Sequence, residues 1–422
     1  MIKMLHLVDI YLSGSMDMKQ IDEWMLPRRA FLGVGSAVAL GAACDLAWAD
    51  EVAEKPVANI SAEHLANAKV AVVRCESYEK ELKEAYKKSF DLLGGVGKLV
   101  KGKTVTVKIN LTGRAGQDPR ELFGRIPGES YLTHGNTAIA LAAVLFESGA
   151  KRVRVVESIN DTMPVEDVLY WQSWEVKQLL AVGNVELENT RNLGKGKKYS
   201  TLPVPTGGYL FSHFEVNHSY EDTDVFISLT KLKEHAVAAV TLSMKNLFGI
   251  TPSSKYGMDA GSEEAVQGRG RLHGSYGRRR GRRRKLPPLP GAKEGEFPSH
   301  QGYRVPHTIV DLCAARPIHL SIVDGITSMS GGEGYWSYGR QFIEPGLLIV
   351  GLNPVSTDAV AMRLMGYANP RAAKGEKPYY NCHNHILLAE QSGLGTAELD
   401  KIDVRGEKIA DAVCPYPRVR EG

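Results

Sequence analysis

Basic side chains concentrate at the end of one hydrophobic segment of this 422-residue sequence. The apolar run at residues 224–229 leads directly into Lys231, Lys233 and His235, which alternate along the chain. In an extended backbone all three side chains point to one side, and in a helical turn Lys231 and His235 still share a face. Lysines grouped in this way are suited to binding phosphate or carboxylate groups.

Further polar residues extend this basic set. Lys245 and Asn246 lie near the end of the apolar segment 236–248, and Lys108 lies in an alternating segment at 103–111. A lysine on a sheet that is covered on both faces needs an ionic partner or a ligand. The alternative is a sheet rim at which each lysine extends its ammonium group into water. The residues expected to form an anion-binding pocket are Lys108, Lys231, Lys233, Lys245 and Asn246.

Two acidic residues suggest a second kind of chemistry. Asp324 ends an apolar segment, and the glycine-rich residues 328–334 that follow contain Glu333. A carboxylate at a strand end beside a flexible loop can hold a divalent metal or supply acid–base catalysis. Asp324 and Glu333 are therefore candidate metal ligands, and Asp324 is also a candidate catalytic group with His235 or His307 as proton carrier. Sequences of this composition also form simple turns.

The elements that must position these residues alternate between strand and helix patterns. Strand patterns cover residues 66–74, 103–111, 152–157, 224–229, 319–324 and 347–351, and helix patterns cover 78–93, 137–148, 236–248, 307–313 and 354–364. This order predicts an α/β fold with a mainly parallel sheet flanked by helices, as one large domain or two intimately packed halves. Ligands of such sheets bind at the carboxyl ends of the strands, where the candidate residues lie.

The segment between the two halves differs in composition. The α/β halves are expected at residues 66–250 and 302–410, followed by a tail at 411–422. Residues 251–301 are rich in Gly, Ser, Pro and Arg, which predicts a disordered, solvated insertion. A run that begins at Arg278 and ends at Lys285 has seven basic residues in eight. This run is a candidate docking site for an acidic protein partner; without aromatic residues to stack on bases, no specific nucleic acid is predicted.

The overall composition is that of a folded protein. Hydrophobic residues make up 43% and charged residues 24% of the chain, which excludes a wholly disordered or collagen-like sequence. The formal charge is +4, but nine of the 52 Lys and Arg residues lie in 269–285, where there is no Asp or Glu. The rest of the chain is therefore mildly acidic, and no global charge favours nucleic acid.

The first 49 residues resemble a twin-arginine signal peptide. Arg28 and Arg29 precede a short, weakly apolar run at residues 33–43, and Ala47-Trp48-Ala49 fits a signal-peptidase site. We therefore expect passage through the twin-arginine translocon and a periplasmic location. Residues 1–19 look superfluous to the signal, so translation can start at a later Met. Lipid anchoring at Cys44 is a weaker alternative, because the residues before it depart from the usual pattern.

The cysteines limit the cofactors that the chain can hold. After cleavage at residue 49 four cysteines remain, widely spaced and without a C-x-x-C pair: Cys75, Cys313, Cys382 and Cys414. A ferredoxin-type iron–sulfur cluster requires closely grouped thiolates, so its motif is absent from the sequence. In an oxidising compartment the four thiols permit three disulfide pairings, which the sequence leaves open.

Many of these segments together resemble the family known as domain of unknown function 362. They are residues 107–111, 156–158, 224–235, 244–249, 307–312, 322–326, 331–334, 356–361, 385–390 and 393–395, in an order that fits the family from about Val70 to Gly406. The resemblance implies no particular reaction, because the family has no established general activity. It includes members with a ferredoxin-type module and members with twin-arginine signals; the basic insertion is longer than its usual connection.

Two functions remain open from the sequence. The first is an exported protein that binds an anionic small molecule, with or without a divalent metal and with or without catalysis. The second is a non-catalytic accessory or cofactor-handling protein for a periplasmic redox or metalloprotein, docked through the basic run.

Overall fold

The computed structural model describes residues 66–113, 119–205, 207–274 and 286–417, all within one compact unit. The expected signal peptide, Cys44 and the basic run from Arg278 to Lys285 lie outside these residues. The described part is built around a central sheet of eight strands.

The strands in chain order are β1 (Lys69–Arg74), β2 (Thr104–Lys108), β3 (Arg152–Glu157), β4 (Val185–Asn189), β5 (Tyr199–Pro203), β6 (His213–Asn217), β7 (Val225–Lys231), β8 (Lys233–His235), β9 (Ala239–Thr241), β10 (Leu320–Gly325), β11 (Ser328–Ser330), β12 (Gln341–Ile343), β13 (Leu347–Gly351) and β14 (Asp403–Gly406). The α-helices are α1 (Leu82–Leu92), α2 (Gly97–Val100), α3 (Gly135–Glu147), α4 (Val165–Trp171), α5 (Val176–Ala181), α6 (Ser243–Asn246), α7 (Ser253–Tyr256), α8 (Gln301–Ala315), α9 (Pro354–Leu364), α10 (His385–Gln391) and α11 (Ile409–Ala412). Short 3₁₀ helices cover Pro127–Glu129, His218–Tyr220, Leu247–Ile250 and Leu399–Lys401.

The central sheet is mostly parallel, which confirms the α/β prediction. Its strand order is β14-β1-β13-β10-β7-β2-β3-β4, and the block from β10 to β4 is parallel throughout. Strand β13 runs antiparallel to both of its neighbours, β1 and β10. Strand β1 of the first predicted half lies between β14 and β13 of the second, so both halves share one sheet, and the carboxyl ends of β2, β3, β7 and β10 meet at one edge.

Helices cover both faces of this sheet. Val105 and Val107 of β2 pack into a core cluster with α1 and α3, whereas Phe226 of β7 packs into a second cluster with α8 and α9. Successive strand residues point to opposite faces, so the alternating pattern of β2 sends Lys108 to the face opposite Val107. Lys108 itself is fully buried at the end of β2.

The predicted helix at 236–248 is wrong. Residues 233–241 form the β8–β9 hairpin, in which Lys233 pairs with Thr241 and His235 pairs with Ala239. Ala239 has a φ of 65°, which a helix does not allow. Only the end of the segment is helical, as α6 and the start of the 3₁₀ helix Leu247–Ile250, because the β-branched residues before it favour an extended chain.

The described parts of the predicted insertion are packed rather than solvated. Tyr256 and Leu272 are fully buried in the larger core cluster. Arg269 donates hydrogen bonds to the carbonyl oxygens of Ser158 (2.7 Å) and Thr251 (2.8 Å). A few large side chains among many glycines therefore pack this segment against the end of β3. The average composition of the segment does not indicate this packing.

Two other expectations concern cysteines and membranes. The four cysteines of the described chain are free thiols, so none of the three disulfide pairings is formed. Among the described helices, none has the length and apolar character needed to cross a lipid bilayer.

Candidate functional site

A buried ion pair lies at the carboxyl ends of β2 and β3. Lys108 Nζ is 2.8 Å from Glu157 Oε1, and both side chains are at most 3% exposed. Lys108 Nζ also donates to the Ile109 carbonyl (2.7 Å) and to Asn246 Oδ1 (3.2 Å). The second carboxylate oxygen of Glu157 accepts from the Leu111 N–H at 2.8 Å. The partner that Lys108 needs is therefore Glu157, the last residue of the adjacent strand.

Helix α6 brings Asn246 and Lys245 to this strand end. Its first two N–H groups, those of Ser243 and Met244, donate to the Asp358 carboxylate, each at 2.9 Å. Burial raises the pKa of Asp358 to about 7. Asp358 of α9 therefore holds the start of α6 and so positions Lys245.

Lys245 has a free ammonium group within the described structure. Lys245 Nζ lies 4.9 Å from the centre of the Phe248 ring and forms no hydrogen bond or ion pair with any described residue. Burial and the positive charges of Lys108 and Arg269 lower its pKa to about 8, although Glu333 opposes the shift. Lys245 is therefore a partly buried lysine without a hydrogen-bonding partner among the described residues and with an unusually low pKa.

Lys233 is more deeply held. It is buried and donates to the backbone carbonyl oxygens of Tyr131 and of Glu333, the latter at 2.9 Å. Burial lowers the pKa of Lys233 to about 7. Since both acceptors are neutral carbonyl groups, the ammonium form of Lys233 has hydrogen bonds but no directly bonded carboxylate.

Glu333 and His235 meet at the glycine-rich loop. The Glu333 carboxylate accepts from the Ala236 N–H (3.0 Å) and from Trp336 Nε1 (3.1 Å). Burial opposes its ionisation, but the interaction with the neighbouring His235 ring and these hydrogen-bond donors lower the pKa of Glu333 to about 2. His235 Nδ1 lies 3.9 Å from Glu333 Oε2. This carboxylate acts more strongly than Glu157 on the charges of Lys233 and Lys245.

His235 is neutral and its tautomer is defined by its contacts. Nδ1 accepts from the N–H groups of Val237 (3.0 Å) and Ala238 (3.2 Å). Burial and the charge of Lys245 hold the pKa of His235 well below its ordinary value. The ring proton therefore resides on Nε2, which makes that atom a hydrogen-bond donor.

A cavity of about 350 Å³ adjoins this histidine. Its lining includes His235 and Ala239 from the β8–β9 hairpin, Gly331 and Gly332 from the glycine-rich loop, and Cys382. Lys377 is the lysine on its wall. The cavity is large enough for a small metabolite, and His235 lies on its wall.

Two residues of the site lie in the segment that was expected to be solvated. The positive charges of Arg269 and Lys245 act on His273, whose ring centre is 4.8 Å from that of Phe248. His273 Nδ1 is 2.9 Å from the Arg269 carbonyl, so Nδ1 carries the proton and Nε2 is an acceptor. Burial is the main cause that lowers the pKa of His273 to about 4. We call Lys108, Lys233, Lys245 and Arg269, with Glu157 and Glu333, the basic cluster.

His385 is a further residue that sequence reasoning passed over. It is fully buried at the start of α10, and neither ring nitrogen has a hydrogen-bond partner within the described chain. Burial and the charge of Lys245 lower its pKa to about 3. The only sequence signal was its place in a segment that resembles the family.

Lys231 and Asp324 do not join the basic cluster. Asp324 lies directly opposite Lys231 on neighbouring strands, and Lys231 Nζ is 2.9 Å from Asp324 Oδ2 with both side chains fully buried. Tyr78 Oη donates to Asp324 Oδ1 at 3.0 Å, and the Ile326 N–H donates to the same oxygen at 3.2 Å. These contacts occupy the Asp324 carboxylate and give no support to a catalytic role.

His307, another predicted site residue, also has partners outside the basic cluster. His307 stacks on Tyr303 at a centroid distance of 4.0 Å, and His383 lies 5.0 Å from it. Asp324 and Glu333 have different partners, and the described residues contain no group of three or more His, Cys, Asp or Glu side chains arranged to hold a metal ion. The structure therefore brings together Lys108, Lys233, Lys245, Asn246, His235 and Glu333.

Comparison with known proteins identifies the family. The family model described as a domain of unknown function, DUF362, matches residues 105–363. A thylakoid-associated protein of Synechocystis sp. is 29% identical over 209 residues, which is 46% of this chain and 55% of the relative. The chain thus spans about half the length of this curated relative.

A crystal structure of a protein from Thermotoga maritima is also similar, at 13% identity and a TM-score of 0.32 over 64% of this chain and 56% of that chain. The chain belongs to the DUF362 family, and its chemistry must be argued from its own site.

Proposed function

We propose that the basic cluster binds the anionic group of a small molecule. The observation that carries this proposal is the ammonium group of Lys245, which has no hydrogen-bonding or ionic partner among the described residues. The cluster places four basic side chains around two carboxylates, and one of these carboxylates, Glu157, is already bound by Lys108. A phosphate or carboxylate group would supply the missing negative charge.

The energetics favour such a ligand. A partly buried cation without a partner loses hydration that nothing in the protein replaces. Hydrogen bonds between an ammonium group and an anion are stronger than those between neutral groups, at about 1.5–3 kcal/mol each. His235, which lines the cavity, adds a neutral N–H donor at Nε2. Binding would also raise the pKa values of Lys233 and Lys245 towards their ordinary range.

A divalent metal is not part of this proposal. Asp324, one of the two candidate ligands, is bound by Lys231 on the other face of the sheet. Glu333, the second candidate, accepts hydrogen bonds from Ala236 and Trp336. Export through the twin-arginine route, to the periplasm, remains our proposal for location and rests on residues 28–49.

Calorimetric titration of the full chain with inorganic phosphate and with pyruvate tests the proposal. We expect binding of at least one of these anions, with affinity reduced about tenfold or more in Lys245→Ala, because one charge-assisted hydrogen bond is lost. Lys401→Ala is the matched control, since Lys401 is exposed and pairs only with Glu398 at 2.9 Å. Equal affinities of the two variants for the bound anion would contradict the assignment.

A further inference from the structure

We propose that Lys245 is a nucleophile that forms a Schiff base with the carbonyl group of an anionic carbonyl compound, such as a 2-oxo acid. This inference rests on the proposed anion site and names its ligand class. It assigns a covalent step to a residue that the anion proposal uses only as a charge.

The first argument is that Lys245 differs from the other lysines of the site in its contacts. Lys108, Lys231 and Lys233 each donate to two or more oxygen atoms, which fixes their ammonium groups in the protein framework. Lys245 Nζ lies over the face of the Phe248 ring and donates no hydrogen bond to any described residue. A lysine that must attack a carbonyl carbon needs a neutral amine that can move, whereas donated hydrogen bonds stabilise the charged form and fix its position.

The second argument is the proportion of neutral amine. With a pKa of about 8, about a tenth of Lys245 is neutral at pH 7, compared with about 0.03% of a lysine with the ordinary value of 10.5. Burial beside other cations is an established means of activating a lysine. The same cations attract a substrate carboxylate, so activation and recognition have one source.

The third argument is a pair of neutral histidines with opposite tautomers. His235 presents Nε2–H as a donor, and His273 presents Nε2 as an acceptor, as their backbone contacts require. The His273 and Lys245 side chains both lie against the Phe248 ring, and the charge of Lys245 acts on both histidines. A donor polarises a carbonyl oxygen, and an acceptor takes up a proton that the amine releases.

The proposed step is balanced without any oxidant or co-reactant. The neutral Nζ of Lys245 forms a bond to the carbonyl carbon, and one amine proton is transferred to the carbonyl oxygen to give a carbinolamine. The C–O bond then breaks, the hydroxyl group leaves as water with the second amine proton, and the C=N bond forms. Transfer of these protons is assigned to His235 and His273.

Reductive trapping of the full chain tests the inference. The protein is incubated with pyruvate and sodium cyanoborohydride at pH 7, and peptide mass spectrometry then measures the reduced adduct at each lysine. We expect Lys245 to be labelled at least about tenfold faster than the exposed Lys401, because far more of its amine is neutral. Equal labelling of the two lysines overturns the inference.

Two variants separate nucleophilic from structural effects. Lys245→Arg keeps the positive charge and is expected to abolish the preferential adduct while retaining anion binding. His273→Gln retains Lys245 and is expected to slow its labelling; an unchanged rate in this variant would remove His273 from the step. Circular dichroism verifies that both variants are folded, and the rate at Lys401 serves as an internal reference in each sample.

Comparison with acetone, a neutral carbonyl compound, distinguishes this inference from the anion proposal. Pyruvate that binds in calorimetry without preferential labelling of Lys245 overturns the Schiff base and leaves the anion site intact. Acetone that labels Lys245 as fast as pyruvate, with no anion bound in calorimetry, overturns the anion site and supports the nucleophile. Faster labelling by pyruvate than by acetone supports both.

Discussion

Replacing Gly249 by alanine tests how closely the chain packs over the ion pair at the site. A Cβ atom on Gly249 would lie 2.6 Å from Glu157 Oε1 and 2.7 Å from Lys108 Nζ. These distances are shorter than real Cβ contacts, and both charged groups are almost fully buried. The methyl group therefore requires the ion pair to separate or the 3₁₀ helix Leu247–Ile250 to move.

The expected loss in the free energy of unfolding depends on whether the ion pair separates or the 3₁₀ helix moves. Overpacking of a filled core costs about 1–3 kcal/mol, and complete loss of one partner of a buried ion pair costs about 3–5 kcal/mol. Lys108 keeps its bond to Asn246 and Glu157 keeps its bond to the Leu111 N–H, so the charges are not left without partners. We therefore expect Gly249→Ala to lower the free energy of unfolding by about 2–4 kcal/mol.

Urea denaturation followed by tryptophan fluorescence and far-UV circular dichroism measures this change. Gly97→Ala is the control, because the nearest atom to its new Cβ, apart from chain neighbours, is the Ser148 carbonyl oxygen at 3.9 Å. This control is expected to be neutral or to stabilise by up to about 1 kcal/mol. A loss below about 1 kcal/mol in Gly249→Ala, at an unchanged dependence on urea, would refute the packing argument.

Three other predictions follow from charges. Anion affinity should be highest below pH 7 and fall as the pH rises through 7 to 8, because Lys233 and Lys245 lose their protons there; titration calorimetry across pH 6–9 that shows no decrease contradicts the pKa assignments. Asp324→Asn should lower the free energy of unfolding by about 3–5 kcal/mol, because the Lys231 ammonium group is left without its carboxylate. Adding Lys231→Met to the same chain should recover part of this loss, and urea denaturation measures both changes. Fusion of residues 1–49 to a reporter should direct export, whereas the same fusion with Arg28 and Arg29 both replaced by Lys should remain in the cytoplasm on fractionation.

The fold was largely predictable because the strands carry strong patterns. Val105 and Val107 alternate with polar residues in β2, and the strand–helix order predicts a parallel sheet that the structure confirms. The β8–β9 hairpin was not predictable from local sequence. Its register depends on distant contacts, since Glu234 accepts hydrogen bonds from the Gly331 N–H and the Tyr367 hydroxyl.

The sequence predicted residues of the site only where a charged residue ends or directly follows a strand segment. Lys108 and Lys233 stand out because they end or follow apolar segments, but their partners depend on strand order, which local sequence does not contain. Arg269 and His273 were missed because their segment has a loop-like composition. Its burial results from a few long-range contacts, such as that of Arg269 with the Ser158 carbonyl.

The arrangement of charges explains why Lys245, rather than a lysine on a strand, is left free. Lys108 pairs with Glu157 and Lys231 pairs with Asp324, so the charges at these strand ends are balanced within the protein. Lys245 instead lies on α6, which has four residues and is too short to be a stable helix alone. The contacts that hold α6 come from Asp358 of α9, which lies on the same covered face as the core cluster beneath it. The position of the Lys245 ammonium group is therefore set by the Asp358 carboxylate, which need not touch the ligand. Residues remote from the reacting atoms can in this way control the geometry of the site.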